Sequence, residues 1–224
     1  MNTIDMPDLA AHEVAAMAHR VAARRYFVCK SVIDIVLAWL TLLLLLPLFV
    51  TLMAGVRFSS PGPIFYSTLR HGRNGRSFPM YKFRSMRVRT IEAERREQER
   101  VAEAGILEKQ MDDPRVTRFG QFIRKTSLDE LPQIFNIALG QMSFVGPRPV
   151  MPAMTAPFPN FEQARCLVKP GITGLWQIRD RHRSTHVVFM REHDLEYVDT
   201  ASWMVDIKTI LLTFPRVALR QGAY

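Results

Sequence analysis

Thr126–Pro149, TSLDELPQIFNIALGQMSFVGPRP, sets an acidic pair, Asp129-Glu130, among cations: Arg124 and Lys125 precede it and Arg148 follows. Two carboxylates in so basic a setting need a reason. Ser127-Leu128-Asp129-Glu130 fits the S-x-x-E capping box, in which serine and glutamate satisfy free backbone N–H groups at a helix start. With Ser127 as N-cap, Pro132 falls just past the first turn, where its missing N–H costs a hydrogen bond. With Leu131 as N-cap, Pro132 takes the first helical position, where that loss is harmless. Either reading predicts a helix ending near Ala138, with both carboxylates at its positive end. That end, with Arg124, favours an ionised Asp129. An ionised carboxylate surrounded by cations can cap a helix or attack phosphorus, and the local pattern leaves both open.

Composition narrows the setting. The chain has 224 residues, 48% of them hydrophobic, and a formal net charge of +9. This length suits one main domain with attachments. The apolar share is enough for a core and a membrane segment together. Such a charge surplus implies an anionic partner: nucleic acid, anionic lipid or a phosphorylated substrate. Cys29 and Cys166 stand far apart with no metal-type spacing, so each is expected to be a small buried apolar residue in a reducing compartment. His182, His186 and His193 also lack a zinc pattern and read as polar surface residues.

Toward the N-terminus, Val14, Met17, Ala18 and Val21 recur at helical spacing, with His19, Arg20 and Arg24 off that stripe. This is either an ordinary amphipathic surface helix or one lying on an anionic membrane. From Val32 to Val56 the chain is almost wholly apolar, VIDIVLAWLTLLLLLPLFVTLMAGV. At about 1.5 Å per residue that is long enough to span a bilayer. Asp34 near its start is placed to pair with Lys30 one turn earlier, and Pro47 breaks the backbone ladder well inside the run. Arg20, Arg24, Arg25 and Lys30 precede the run; Arg57, Arg70, Arg73 and Arg76 follow it. Basic flanks mark the cytoplasmic side, so a single span would carry one of these flanks across the membrane. A helix bent near Pro47 that returns leaves both inside, with Thr41 or water rescuing the broken backbone. Charge and length leave span and hairpin level. The region before the run and the run itself are too long for a cleaved signal peptide, and no clear cleavage pattern follows.

Beyond the Ser59–Pro63 turn cluster, Ile64–Tyr66 and Phe78–Phe83 read as strands joined by Gly72–Gly75. Alternation would put Lys82 and Arg84 on one face of an extended segment, either as solvated edge charges or as phosphate contacts. Residues 89–110 read as a solvated helix with pairs such as Glu92–Arg96, and Asp112–Arg115 as a turn. Pro147 and Pro149 hold Arg148 in a fixed direction, which suits a guanidinium facing phosphate oxygens. Gly171 and Gly174 would let a ligand approach the backbone of Lys169–Trp176 closely. In the tail, Trp203, Ile207, Ile210, Leu211 and Phe214 recur at helical spacing, as a core-packing face or as an interfacial helix anchored by Trp203.

Four blocks carry a resemblance: KFRSM (82–86), DDPRVTRFGQFIRKTSLDELPQIFNI (112–137), MSFVGPRP (142–149) and KPGITGLWQI (169–178). Together, in this order after one apolar segment, they resemble the bacterial polyprenyl-phosphate sugar-phosphate transferases, the small monotopic phosphoglycosyl transferases. The likeness covers roughly residues 26–224 and leans toward the exopolysaccharide-initiating hexose-1-phosphate type. It implies an α+β monotopic membrane protein in three parts: an amphipathic extension (1–25), a re-entrant membrane helix broken at Pro47 (26–57), and a catalytic domain with interfacial helices (58–224) at the cytoplasmic face of the bacterial inner membrane. It implies a UDP-sugar and undecaprenyl phosphate as substrates and Mg²⁺ as cofactor. Asp129 is then the nucleophile, forming an aspartyl-phosphosugar intermediate, and Glu130 its partner and metal ligand. Arg124 and Arg148, with Lys82 and Arg84 in support, face the substrate phosphates. Where many members carry a Ser-Gly-Arg-Asn-like run after the tryptophan block, this chain has Arg179-Asp180-Arg181-His182, so contacts in that loop do not carry over.

Two other classes compete with the enzyme. A membrane-tethered nucleic-acid binder would explain the charge but leaves the Asp-Glu pair without a task, and no helix-turn-helix or finger pattern is visible. A non-catalytic scaffold of a polysaccharide assembly complex would explain the apolar run and the tail. On the enzyme reading the basic surplus is directed at anionic lipid and phosphate, with no nucleic acid as partner. The sugar (galactose or glucose first) and the oligomer, a homodimer included, stay open.

Overall fold

The computed structural model describes residues 7–88, 113–180 and 187–218. The helices are α1 (Ala11–Ala22), α2 (Arg25–Leu44), α3 (Leu46–Ser59), α4 (Arg118–Lys125), α5 (Gln133–Ala138), α6 (Pro152–Thr155), α7 (Pro159–Arg165), α8 (Leu175–Arg179), α9 (Val187–Thr200) and α10 (Trp203–Ala218). The strands are β1 (Phe65–His71), β2 (Ser77–Phe83), β3 (Ser143–Val145) and β4 (Gly171–Thr173). The class is α+β, as expected. The segment read as a charged helix, 89–110, and most of the Arg179–Arg183 loop lie outside the described residues.

The first sheet is the antiparallel pair β1–β2, in register from Phe65↔Phe83 to His71↔Ser77. β1 runs five residues past its predicted end. Pro79 sits inside β2, but its nitrogen faces the outer edge, where no ladder partner needs an N–H. That edge is closed by one side chain. The fully buried Asn136 of α5 accepts from Tyr81 N–H (3.0 Å) and donates to the Pro79 carbonyl (2.7 Å), taking the place of a third strand. The second sheet pairs β3 with β4 in parallel. A side chain at Gly146, Gly171 or Gly174 would collide with backbone of the facing segment. Gly171 and Gly174 therefore bring two stretches of chain together, and the close approach expected for a ligand is taken by the VGPRP backbone.

α2 and α3 are one apolar run interrupted at Leu45 (φ −90°, ψ 8°). Pro47 is the cause and lies two residues later, in the first turn of α3, where its missing N–H is tolerated. α2 has 20 residues, about 30 Å, and is the one helix among the described residues long and apolar enough to cross a membrane. Only its stripe Phe27, Lys30, Asp34, Ala38 and Leu42 is buried. Val28, Val32, Trp39, Leu40, Leu43 and Leu44 are all more than half exposed, a larger apolar surface than a soluble domain leaves in water. Cys29, expected to be buried, lies on this exposed face, whereas Cys166 is buried.

Both ends of the run are fastened to the same body. At the start of α2, Lys30 Nζ lies 2.5 Å from Asp206 of α10 and 3.4 Å from Asp34, and Tyr26 donates to Asp206 at 2.6 Å. Tyr197 donates to the other Asp206 oxygen at 2.9 Å, and Ser143 donates to Asp34 at 2.6 Å. At the end of α3, the Arg84 guanidinium donates to the carbonyls of Ser60 (2.6 Å) and Pro61 (2.6 Å). The first core, under α2, α3 and β2, includes Phe49, Leu52, Phe83, Ile123, Ile134 and Ile137.

A second core joins α1, α7 and α9. Val14, Met17 and Val21 of α1 are buried there, so this helix rests on the protein and the membrane-surface reading of residues 1–25 does not apply to it. Arg20 pairs with Asp199 at 2.8 Å, and Arg24 bonds the carbonyls of Val198 and Asp199. Asp8 accepts from the N–H groups of Asn160 and Phe161, both at 2.9 Å, and so caps α7 from some 150 residues away; Phe158 at the N-cap position has no side chain able to do so.

Candidate active site

The Asp129-Glu130 pair lies in a single 3₁₀ turn, Leu128–Glu130, between α4 and α5. Ser127 enters that turn left-handed (φ 56°, ψ 15°), an uncommon conformation for a residue with a Cβ. Its side chain makes no capping bond, and the α5 helix starts at Gln133 with Pro132 at its N-cap. The capping box is therefore not formed. Glu130's carboxylate is turned toward Lys82, whose Nζ lies 2.8 Å from Oε1, and its N–H is satisfied by the Ser127 carbonyl. The left-handed residue turns the chain at this point, and Glu130 is presented toward β2.

Four segments converge here. Lys82 comes from β2, Glu130 from the 3₁₀ turn, Arg148 from the loop after β3 and Arg70 from β1. Arg148 Nη2 lies 3.9 Å from Glu130 Oε1, and its guanidinium sits 5.5 Å over the ring of the buried Trp176. Arg70 is half-buried and adjoins Arg148 and Glu130. Burial, then the neighbouring Arg148, pull its guanidinium down to about 10, still cationic at neutral pH. Its buried Nε finds no acceptor among the described residues. A buried donor without a partner, on a cation crowded by another cation, favours an incoming anion.

The sequence-derived residues divide. Lys82, Glu130 and Arg148 meet, with Asp129 beside Glu130 in the same turn. Arg84 goes elsewhere: β2 ends at Phe83, the alternation stops, and the guanidinium is buried just past the α3 C-terminus, where it holds the carbonyls of Ser60 and Pro61. Arg124 donates from Nε to Ser85 Oγ at 2.7 Å, alongside the turn that follows β2. Arg70 was missed as a site residue, although the alternation Tyr66, Thr68, Arg70 puts it on the strand face that Tyr66 shares with its partner Lys82. Its role depends on the strand pairing, which no local pattern supplies.

A magnesium ion can be tested against the donors present. No group of three or more His, Cys, Asp or Glu able to hold a metal occurs among the described residues. The site offers two adjacent carboxylates, Asp129 and Glu130. Mg²⁺ is commonly held by one or two carboxylates with substrate phosphates and water completing the octahedron, so this donor set fits an ion that arrives with a diphosphate.

The chain thus combines an apolar helix pair fastened to an α+β body with a turn that carries two carboxylates among three cations. The model of the bacterial sugar transferase family matches residues 25–220, and the chain belongs to that family. Similar curated proteins include the UDP-glucose:undecaprenyl-phosphate glucose-1-phosphate transferase of Xanthomonas campestris pv. campestris, 40% identical over 89% of this chain and 40% of its own length. The galactosyl transferase CpsE of Streptococcus agalactiae is 41% identical over 88% of this chain and 44% of its own length. The exopolysaccharide production protein ExoY of Sinorhizobium fredii is 40% identical over 88% of both chains. The chain thus spans less than half the length of the first two relatives and nearly all of the third.

Proposed function

We propose that this chain moves a sugar 1-phosphate from a UDP-sugar to undecaprenyl phosphate, through a covalent phosphosugar on Asp129, and so starts a polysaccharide chain. The observation that carries the reading is the cation set Lys82, Arg70 and Arg148 gathered at the acidic turn, where three cations meet two carboxylates. In the first step an Asp129 oxygen attacks the β-phosphorus of the UDP-sugar, the bond to the bridging oxygen breaks, and uridine monophosphate leaves. In the second, a phosphate oxygen of undecaprenyl phosphate attacks the same phosphorus and Asp129 leaves as a carboxylate. Two displacements replace one difficult exchange between anions.

The cations answer the electrostatic problem. An anionic nucleophile must approach an anionic diphosphate, and guanidinium groups at fixed positions offset that repulsion as charge builds on the leaving oxygen. Lys82 keeps Glu130 oriented beside the nucleophile. Mg²⁺ held through Asp129 or Glu130 would neutralise charge on the transferring phosphate. The lipid acceptor cannot leave the bilayer, so the site must lie at the surface. The arrangement of α2 and α3 supports a re-entrant hairpin: a body on one side of the membrane holds both ends, through Asp206 at one and Arg84 at the other. The basic flanks support the cytoplasmic side.

The test is release of uridine monophosphate by the purified protein with undecaprenyl phosphate, Mg²⁺ and a panel of UDP-sugars. Radiolabel from the sugar phosphate should stay on the protein when the lipid is withheld and be absent from Asp129→Asn. Turnover by Asp129→Asn, or no release with any donor, would overturn the reading; the latter result is the one expected of a scaffold. Single cysteines in residues 1–25 and near Arg70, in a background without Cys29 and Cys166, should both resist a periplasmic thiol reagent. Labelling of either from outside would mean a true span.

A further inference from the structure

Arg165 and Asp194 are a buried ion pair, 5% and 2% exposed, that joins α7 to α9. Arg165 donates to Asp194 Oδ2 from Nε (2.9 Å) and from Nη2 (2.6 Å). The same Nη2 donates to the main-chain carbonyl of Arg148 at 2.5 Å. Asp194 thus fixes the direction from which Arg165 reaches that carbonyl. The pair holds the main chain of Arg148 at its carbonyl, and that residue carries the guanidinium facing Glu130. Nothing in the reaction proposed above uses Arg165 or Asp194.

A buried ion pair is a weak contributor to stability, because desolvation offsets most of its Coulomb gain. It is well suited to fixing direction. Arg148 lies between two prolines in a loop, and its side chain alone would sample several rotamers. Its carbonyl is held by Arg165, which Asp194 orients, and its guanidinium lies on Trp176. We infer that Arg165 and Asp194 are positioning residues for the transfer, which set the direction from which Arg148 meets the substrate phosphate. This rests on the phosphosugar-transfer reading for the identity of the reaction, and on the geometry alone for the grip on Arg148. The consequence is that their effect on turnover runs through Arg148 and nowhere else.

Arg165→Lys keeps the ion pair but replaces the fork by a point charge that cannot serve both Asp194 and the carbonyl. Arg165→Met with Asp194→Leu removes the grip by an apolar exchange of the kind that often leaves stability intact. Each is made in the wild-type and Arg148→Ala backgrounds. The expected result is a fall in kcat of about 10²-fold in the wild-type background, the scale of a misplaced catalytic group, and almost no further fall in Arg148→Ala. Trp176 emission, read in a Trp39→Phe/Trp203→Phe background, should shift in Arg165→Lys in the same direction as in Arg148→Ala. Equal losses in both backgrounds, or an unmoved Trp176 emission, would overturn the inference. If the wild type releases no uridine monophosphate, the reaction reading fails, and the emission comparison still decides this one.

Discussion

Two mixed-charge clusters face each other across this molecule's chemistry. One joins Lys30, Asp34 and Asp206 with Tyr26, Tyr197 and Ser143; the other joins Glu130, Lys82, Arg148 and Arg70 beside Asp129. In the first, Asp206 takes bonds from two tyrosines and a lysine, and Asp34 from a serine, with both carboxylates and the lysine buried. In the second, cations outnumber carboxylates, exposure is greater, and a buried arginine donor has no acceptor among the described residues. A closed cluster holds structure. A cluster with spare positive charge is suited to an anionic ligand. The difference teaches that composition does not separate a latch from a candidate site; the balance of charge and exposure does, since an unsatisfied Nε occurs both at Arg70 and at the structural Arg84.

The sharpest break is between activity and stability. Asp129→Asn should lower turnover by at least ~10³-fold, with a thermal midpoint in detergent close to the wild type. Asp206→Ala should behave in the opposite way. It leaves the buried Lys30 with Asp34 alone and takes the acceptor from two tyrosine hydroxyls, and should cost about 3–5 kcal/mol, visible as a large drop in thermal midpoint. If Asp129→Asn melted early while Asp206→Ala merely slowed turnover, the two clusters would have been assigned the wrong way round.

Arg70→Met probes the open cluster further. Turnover should fall about 10²-fold with stability kept or raised, because the substitution removes a cation that burial and Arg148 both disfavour. A drop in stability instead would make Arg70 a structural residue. The smallest effect is expected at Asp8, remote from both clusters. Burial raises its pKa, but backbone N–H bonds from Asn160, Phe161 and Leu9, with Arg191, outweigh it and leave the carboxyl below its ordinary value. A depressed folded pKa means the cap stabilises above about pH 3.9, the unfolded value, and is lost as pH falls through the lower folded one. Asp8→Ala should cost about 1 kcal/mol at pH 7 and leave kcat unchanged. An effect on kcat would mean that the α7 cap is felt at the site through Arg165.

How much was legible can be judged on α1 and α10. Both sequences show an apolar stripe at helical spacing, and both are helices. The α1 stripe turns inward onto α7 and α9. On α10 the arrangement is inverted: Asp206 and Thr209 are buried, while Trp203, Ile207, Leu211 and Phe214 are 43–68% exposed. Periodicity states that a helix has two faces. It does not state which face meets protein, because that depends on partners contributed from elsewhere, here Lys30 and Tyr26 from α2 and Tyr197 from α9. Of the two readings offered for each helix, packing on the protein holds for α1, and the exposed apolar face of α10 fits the interfacial one.

The site divides in the same way. Glu130, Lys82 and Arg148 were named from local chemistry, and they meet. Arg84 was assigned by strand alternation, and the strand stops one residue before it. Arg70 needed the β1–β2 register, and Trp176 needed the loop after β3 folded onto α8.

By itself the sequence determined the apolar run and its interruption by Pro47, the acidic pair in its basic setting, the main elements and the family. Those properties are local: a proline removes its own donor, and a twenty-residue apolar helix is apolar wherever it lies. Only the tertiary structure decided which carboxylates are closed off and which are more exposed, which guanidinium holds carbonyls at a helix end and which lies beside Glu130, and where the break at Leu45 falls. Each of these depends on desolvation and hydrogen bonding between residues far apart in the chain, and no sequence window contains both partners.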